Sequence, residues 1–198
     1  MKEKLIQFFK NISEMTKILT YTIIGVAGTI IITLLFNFIF RLELQSCALF
    51  FIIPIGGIYV GIGSASGLFY SYLRYNKLIK FKQFLIALVL GIATFYGIYY
   101  ASYLTTYING DHISNYEING ERISFTKYLE LEKSSAEIKL SFGNLVVPGG
   151  FETGKTYNTI MFYLQLLGSV FGSIGIGLYF LMEQQKRLEE NKKYQINL

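Results

Sequence analysis

The sequence predicts an all-α membrane protein, a four-helix transmembrane bundle with a small α+β extracytoplasmic insertion between spans 3 and 4. Four apolar runs of about 20 residues lie at 18–40, 47–70, 84–104 and 159–182, and about 20 helical residues cross a hydrocarbon core roughly 30 Å thick. Basic residues cluster where these runs end, and a longer polar segment separates the third run from the fourth. The chain thus divides into 1–104, an extracytoplasmic cap at 105–158, and 159–198.

The composition excludes several other classes of protein. Of the 198 residues 52% are hydrophobic and only 16% are charged, which is less charge than a soluble domain carries. The net charge of +5 comes from residues at the ends of the spans, not from a basic module for nucleic acid. One cysteine and one histidine predict neither an internal disulfide nor a metal site.

The first 17 residues precede the first apolar run and are amphipathic. Leu5, Phe8, Phe9 and Ile12 recur at helical spacing, with lysines elsewhere. This pattern fits a short helix on the membrane surface, and a frayed lead-in to the first span is the alternative. The apolar run after Lys17 exceeds the ~7–15 residues of a signal-peptide core, so cleavage is not expected.

The connectors and their charges predict the topology. Six residues, 41–46, join the first two runs, so these spans form an antiparallel hairpin. Four Lys or Arg residues lie in each of 1–17, 71–83 and 183–198, and the first connector has only Arg41. Positive charge marks the cytoplasmic side. Both termini are therefore expected inside a bacterial cytoplasmic (inner) membrane, and residues 105–158 outside it.

The insertion contains signals for strands and for one short helix. Asn119-Gly120 favours a type I′ hairpin turn. The residues Phe125, Tyr128, Leu129 and Glu132 follow at helical spacing, and residues 136–142 alternate apolar and polar side chains as a half-buried strand does. We expect a hairpin, a helix and a strand that pack on the outer ends of the spans.

Residues 149–156 read GGFETGKT, which matches the phosphate-binding pattern GxxxxGK[ST]. In nucleotide-binding proteins this loop joins a buried strand to a helix within a parallel sheet. Here the following helix is a predicted membrane span, and the loop is expected to face away from cellular ATP. We therefore interpret the glycines as a turn before the last span and expect no bound nucleotide.

Small residues four apart mark helix-packing faces in the second and fourth runs. The glycines concerned are Gly57, Gly61, Gly63, Gly67, Gly168, Gly172 and Gly175. Such spacing allows close backbone approach between helices in lipid. It suits a homo-oligomer or a partner interface, or packing of the second span on the fourth within one chain, which we favour.

Polar groups within the predicted spans are few. Asn37 and Gln165 are the main ones, and we expect them to make hydrogen bonds between helices, with a substrate contact as the alternative. His112 lies in the loop, and Glu130 and Glu132 point to different sides of a predicted helix. No catalytic residues, metal ligands or cofactor-binding residues are predicted, so the chain is not expected to be an enzyme.

Three phrases resemble a group of small, uncharacterised bacterial four-span membrane proteins: FIIPIGGIYVGIGSASGLFY, ISFTKYLE and YLQLLGSVFGSIGIGLYF. The resemblance implies a location in the cytoplasmic membrane and no known activity. The sequence favours a non-enzymatic interaction or scaffold protein, acting through its outer cap and glycine-rich faces on a membrane partner or a second copy. The alternative is a subunit of a small oligomeric pore or transporter.

Overall fold

The computed structural model describes residues 2–40, 43–49, 53–108, 110–118, 120–134, 141–142, 145–146 and 155–196. Most of these residues are helical. The α-helices are α1 (Lys2–Phe40), α2 (Ile55–Arg74), α3 (Phe81–Thr105), α4 (Phe125–Ser134) and α5 (Lys155–Ile196). The turns Leu44–Ser46 and Ile113–Asn115 are short 3-10 helices.

The first helix is longer than the sequence predicted. Residues 2–17, expected as a surface helix or a frayed lead-in, are continuous with the first apolar run in α1, which has 39 residues. No glycine or proline occurs before Gly25, so nothing in the sequence interrupts the helix there. The ion pair between Lys77 Nζ and Glu14 Oε2, at 2.9 Å, ties this part of α1 to the segment that follows α2.

Within the described part of the chain, three helical segments are long and apolar enough to cross a membrane: Ile12–Phe40, Phe81–Thr105 and Thr156–Asn191. They make this a membrane protein by length and composition. The helix α2 is not among them, because five glycines and three serines lower the hydropathy of its 20 residues. It also begins at Ile55 and not at residue 47, since Leu49 and Ile53 form an antiparallel bridge before Pro54.

The helix α2 occupies the centre of the bundle and packs against α1, α3 and α5. Its side chains Val60, Ala65 and Phe69 are buried. Near the N-terminal end of α2, Val60 belongs to a buried cluster with Phe95 and Phe162. The rings of Phe95 and Phe162 meet edge to face, with their centroids 5.4 Å apart. The most glycine-rich helix is therefore the one most enclosed by the other helices.

The first part of the predicted cap, residues 106–134, contains two hairpins and α4, and the name cap is kept for these residues from here on. Strands β1 (Tyr107–Ile108) and β2 (Asp111–His112) pair antiparallel, as do β3 (Glu117–Ile118) and β4 (Glu121–Arg122). The second hairpin is the one predicted, and Gly120 has the positive φ of 80° that such a turn needs. Buried Ile113, Ile123 and Tyr128 form a small core.

The rest of the insertion is described only in part. Strands β5 (Ser141–Phe142) and β6 (Leu145–Val146) form a third two-stranded pair. The strand predicted for residues 136–142 falls mostly outside the described residues. So do residues 149–154 of the phosphate-loop pattern, whose Lys155 and Thr156 are the first residues of α5.

Candidate functional site

The predicted packing glycines lie on two different faces of α2. A Cβ atom on Gly57 or Gly61 would overlap the carbonyl oxygens of Gln165 and Ser169 on α5. On α5, a Cβ on Gly172 would overlap the carbonyl of Ile58, and one on Gly168 would come within 2.9 Å of the Pro54 oxygen. The two backbones are therefore in direct contact along this face.

The other pair of glycines in α2 faces α1 instead. A Cβ on Gly67 would overlap the Tyr21 carbonyl, and one on Gly63 would overlap Thr29 Oγ1. Gly175 takes no part in either contact, because a Cβ there would have no atom within 4 Å. Six of the seven predicted glycines therefore lie at a contact between helices. The sequence pattern did not indicate that α2 contacts α5 on one face and α1 on another.

Gln165 joins three segments at the start of α2. Its Oε1 accepts from the Gly57 backbone N–H at 2.6 Å, and its Nε2 donates to the Cys47 carbonyl at 2.8 Å. The side chain is 2% exposed, so both hydrogen bonds lie in the protein interior. Gln165 is thus an interhelical hydrogen-bonding residue.

Gln184, which the sequence did not single out, does the same at the other end of α2. Its Oε1 accepts from the Ile79 N–H at 3.1 Å and its Nε2 donates to the Lys77 carbonyl at 2.8 Å. In the sequence, the feature that could have suggested this role is the position of Gln184, 19 residues after Gln165 on the same helix. Two glutamines of α5 thus hold the segments before and after α2.

A cavity of about 650 Å³ opens between the end of α1, the end of α3 and the cap. We call it the cap cavity. Its apolar wall includes Ile31, Leu34, Leu35 and Phe38 of α1. Its polar wall includes Asn37, Glu43, Ser102, Thr105, Tyr128 and Glu132. Asn37, predicted as an interhelical hydrogen-bonding residue, therefore lies in the wall of the cap cavity.

Two carboxylates face the cap cavity. The pKa of Glu132 is raised from 4.5 to about 7, chiefly by removal from water and also by the charge of Glu43, while the hydrogen bond from Tyr128 lowers it. Burial also raises the pKa of the Tyr128 hydroxyl, which stays protonated and can donate. Glu132 is thus divided between its charged and neutral forms near pH 7.

The cavity wall also includes the buried side chain of Ser102. Ser102 is 7% exposed, and its Oγ makes no hydrogen bond within the described residues. The neighbouring Thr106 hydroxyl donates to the Ser102 carbonyl at 2.7 Å and leaves the Ser102 hydroxyl unused. A buried hydroxyl without a partner costs about 1–3 kcal/mol, so a ligand that bonded to it would recover part of that cost.

The other titratable groups of the cap have structural contacts. His112 lies between the rings of Tyr103 and Tyr107, with centroid distances of 5.5 and 5.3 Å. Its Nδ1 is 2.7 Å from Ser114 Oγ. Among the described residues no group of three or more His, Cys, Asp or Glu side chains is arranged to hold a metal ion. The described lining of the cap cavity thus combines two glutamates with hydroxyl, amide and apolar side chains.

No protein-family model, curated protein or solved structure matches this chain. Its function is therefore inferred from the helix contacts and the cap cavity.

Proposed function

We propose that the chain is a four-span protein of a bacterial cytoplasmic membrane, with α2 as its second span, both termini inside and the cap outside. The 20 residues of α2 measure about 30 Å as a helix, enough for a crossing. Its contacts with α1, α3 and α5 shield its glycines and serines from lipid. These contacts support a crossing that hydropathy alone does not identify.

The distribution of charge supports the orientation. Arg74, Lys77, Lys80 and Lys82 lie around the short segment that joins α2 to α3, and Lys186 and Arg187 follow the apolar part of α5. The hydrogen bonds from Gln184 place these two basic regions side by side. Under the positive-inside rule that end of the bundle is cytoplasmic.

We further propose a non-enzymatic interaction function exerted through the cap. The supporting observation is that the glycine faces of α2 already contact helices of the same chain: Gly61 packs against α5 and Gly67 packs against α1. These faces are occupied in the monomer, so they are not free for a second copy. The same contacts weigh against a pore lined by α2, because a lumen there would require α2 to separate from both neighbours.

Cysteine labelling tests the orientation. In a Cys47→Ser background, Glu121→Cys places a thiol on the cap and Lys186→Cys places one on α5, and both positions are exposed. A membrane-impermeant maleimide added to intact cells should label Glu121→Cys at once, and Lys186→Cys only after permeabilisation. The reverse pattern would contradict the proposed topology.

Photo-crosslinking tests the interaction function. A benzophenone amino acid at exposed Glu121 should give discrete protein adducts in native membranes. The same group at Leu85, exposed on α3, should give lipid adducts. Protein adducts at Leu85 alone, or ion conductance of the purified protein in vesicles, would favour the pore.

A further inference from the structure

We propose that a basic cluster framed by tyrosines, where the apolar part of α1 begins and α2 ends, binds the headgroup phosphate of an anionic phospholipid. The members of this cluster, which we call the α1–α2 cluster, are Lys17, Tyr21, Tyr70, Arg74 and Tyr75. It lies at the end of the bundle opposite the cap, so lipid binding goes beyond the interaction function proposed for the cap. Phospholipid headgroups border both ends of a membrane span, so the binding does not depend on the orientation of the chain.

The position of the α1–α2 cluster along the helices matches the headgroup region of a bilayer. Lys17 is the last charged residue before the apolar run at 18–40, and Arg74 is the last residue of α2. Tyr21 and Tyr70 lie about one helical turn further into the apolar part of each helix. Basic residues and tyrosines occupy these depths at a membrane boundary. The two cations therefore lie at the level of the lipid phosphates.

The guanidinium of Arg74 is held in place by two tyrosines. Its Nη1 donates to the Tyr70 hydroxyl at 3.0 Å, and its Cζ lies 5.8 Å from the centroid of the Tyr21 ring. The rings of Tyr21 and Tyr70 meet edge to face, with their centroids 5.6 Å apart. Because these contacts already order the arginine side chain, less conformational entropy is lost when it binds an anion.

This arrangement presents hydrogen-bond donors that suit a phosphate. Arg74 is exposed, and a guanidinium has five N–H donors in a planar fork that matches two oxygens of a phosphate. Tyr70 is 41% exposed, and its hydroxyl, which accepts from Arg74, can still donate its own proton. Arg74 and Tyr70 can thus bind one phosphate group together.

Lys17 adds a second positive charge to the same aromatic group. Its Nζ lies 6.0 Å from the centroid of the Tyr75 ring, and the Tyr75 and Tyr21 rings are 6.4 Å apart between centroids. Two cations at one site attract a lipid with a net negative charge. They repel the ammonium of a zwitterionic headgroup, so phosphatidylglycerol should bind more tightly than phosphatidylcholine.

The surface next to the cluster is suited to an acyl chain. Lys17, Tyr21 and Ile24 recur at the i, i+4 and i+7 positions of α1 and so share one face of the helix. Ile24 is 59% exposed and lies on the apolar side of Tyr21. A lipid whose phosphate meets Arg74 can place an acyl chain against Ile24, whereas a free phosphate gains nothing from this contact. This favours a phospholipid over a water-borne phosphate.

Other basic residues at this end of the bundle have a different kind of contact. Lys77 Nζ lies 2.9 Å from Glu14 Oε2, and Arg187 Nε lies 3.1 Å from Glu183 Oε1. Arg187 is an exposed arginine at the same end, but its contact is with a carboxylate and not with tyrosines. It therefore separates a specific site at Arg74 from the general attraction of a basic surface to anionic lipid.

The test compares two short-chain lipids that differ in net charge, dioctanoyl phosphatidylglycerol and dioctanoyl phosphatidylcholine. Native mass spectrometry of the purified full chain in an uncharged maltoside detergent measures how many molecules bind and how tightly. We expect one phosphatidylglycerol to bind at least tenfold more tightly than phosphatidylcholine. Equal affinities, or a ladder of adducts without a first preferred site, would overturn the proposal.

Glycerol 3-phosphate distinguishes the two sources of a phosphate ligand. It carries the phosphate without the acyl chains, so at the same concentration it should leave phosphatidylglycerol binding unchanged. Displacement of the lipid by an equal concentration of glycerol 3-phosphate would assign the cluster to a water-borne phosphate and contradict its assignment to a phospholipid.

Matched variants locate the site. Arg74→Gln should weaken phosphatidylglycerol binding at least tenfold and leave phosphatidylcholine binding within about twofold. Arg187→Gln and Lys82→Gln each remove one positive charge from the same end at an exposed position and should bind as the wild type does. Equal losses in all three variants would show that only the surface charge matters. Should Arg74→Gln fail to fold, Lys17→Gln decides, and unchanged affinity in that variant would also overturn the proposal.

Failure of lipid binding would leave the labelling and cross-linking results for the cap unaffected, because the α1–α2 cluster and the cap lie at opposite ends of the bundle. The two proposals can therefore fail separately.

Discussion

The side-chain amide of Gln165 takes the place of a helix cap for α2, because its Oε1 accepts from the Gly57 N–H at 2.6 Å. The residue before α2 is Pro54, which provides no side-chain cap. The Gly56 N–H donates to the Cys47 carbonyl at 2.8 Å, and the same carbonyl accepts from Gln165 Nε2. The donors that a helix N-terminus leaves unpaired are thus satisfied by another helix and by the preceding segment.

We expect Gln165→Ala to destabilise the protein by about 1–3 kcal/mol, because it leaves the Gly57 N–H buried without an acceptor. Thermal unfolding in detergent, followed by circular dichroism, measures the effect. Gln185→Ala is the matched control, since Gln185 is an exposed glutamine of the same helix. Equal melting temperatures of the two variants would show that the bridging hydrogen bonds contribute nothing.

The effect of a glycine substitution on the free energy of unfolding should depend strongly on its position. Gly61→Ala places a methyl group against the Ser169 carbonyl, and forcing α2 and α5 apart should cost about 1–3 kcal/mol. Gly175→Ala meets nothing within 4 Å and should be neutral or stabilising by up to about 1 kcal/mol through helix propensity. Similar unfolding temperatures for both variants would argue against close backbone contact at Gly61.

Gln184→Ala should loosen the segment between α2 and α3. It removes the acceptor of the Ile79 N–H and the donor to the Lys77 carbonyl. Amide hydrogen exchange of residues 75–80 should then become at least tenfold faster, while that of α3 stays unchanged. Gln185→Ala is again the control, and exchange equal to the wild type would mean that other contacts hold this segment.

Local features of the fold could be predicted from the sequence, because neighbouring residues determine them. The hairpin at Gly120 follows from its Asn-Gly turn, and α4 follows from the helical spacing of Phe125 and Tyr128. The first hairpin was not predicted, although Asn109-Gly110 is the same signal. The glycines were singled out by their spacing. Which of them contacts α1 and which contacts α5 depends on how three helices surround α2, and spacing does not indicate that.

The cap cavity could not be predicted in the same way. Glu43 precedes α2 and Glu132 belongs to α4, so two carboxylates that lie 89 positions apart in the sequence line one cavity in the fold. Hydrophobic periodicity indicates which side of α4 is buried. It does not indicate that Glu132 lies close to a second acid, Glu43.

The stability of the folded protein should depend on pH through Glu132. Its pKa is raised from 4.5 to about 7 in the folded state, first by burial and then by Glu43. Between these values folded Glu132 binds more protons than unfolded Glu132, so its contribution to the free energy of unfolding is largest below pH 4.5 and is lost as the pH rises through 7. A shift of this size corresponds to roughly 3 kcal/mol.

Glu132→Gln should remove this fall, because the amide keeps the shape of the neutral acid without titrating. Glu130→Gln should retain it, since exposed Glu130 lies on the other side of α4. Thermal unfolding of the three proteins between pH 4.5 and pH 8 measures the effect. A rise in the stability of the wild type over this range that Glu132→Gln abolishes would show instead that Glu132 is favoured in its charged form.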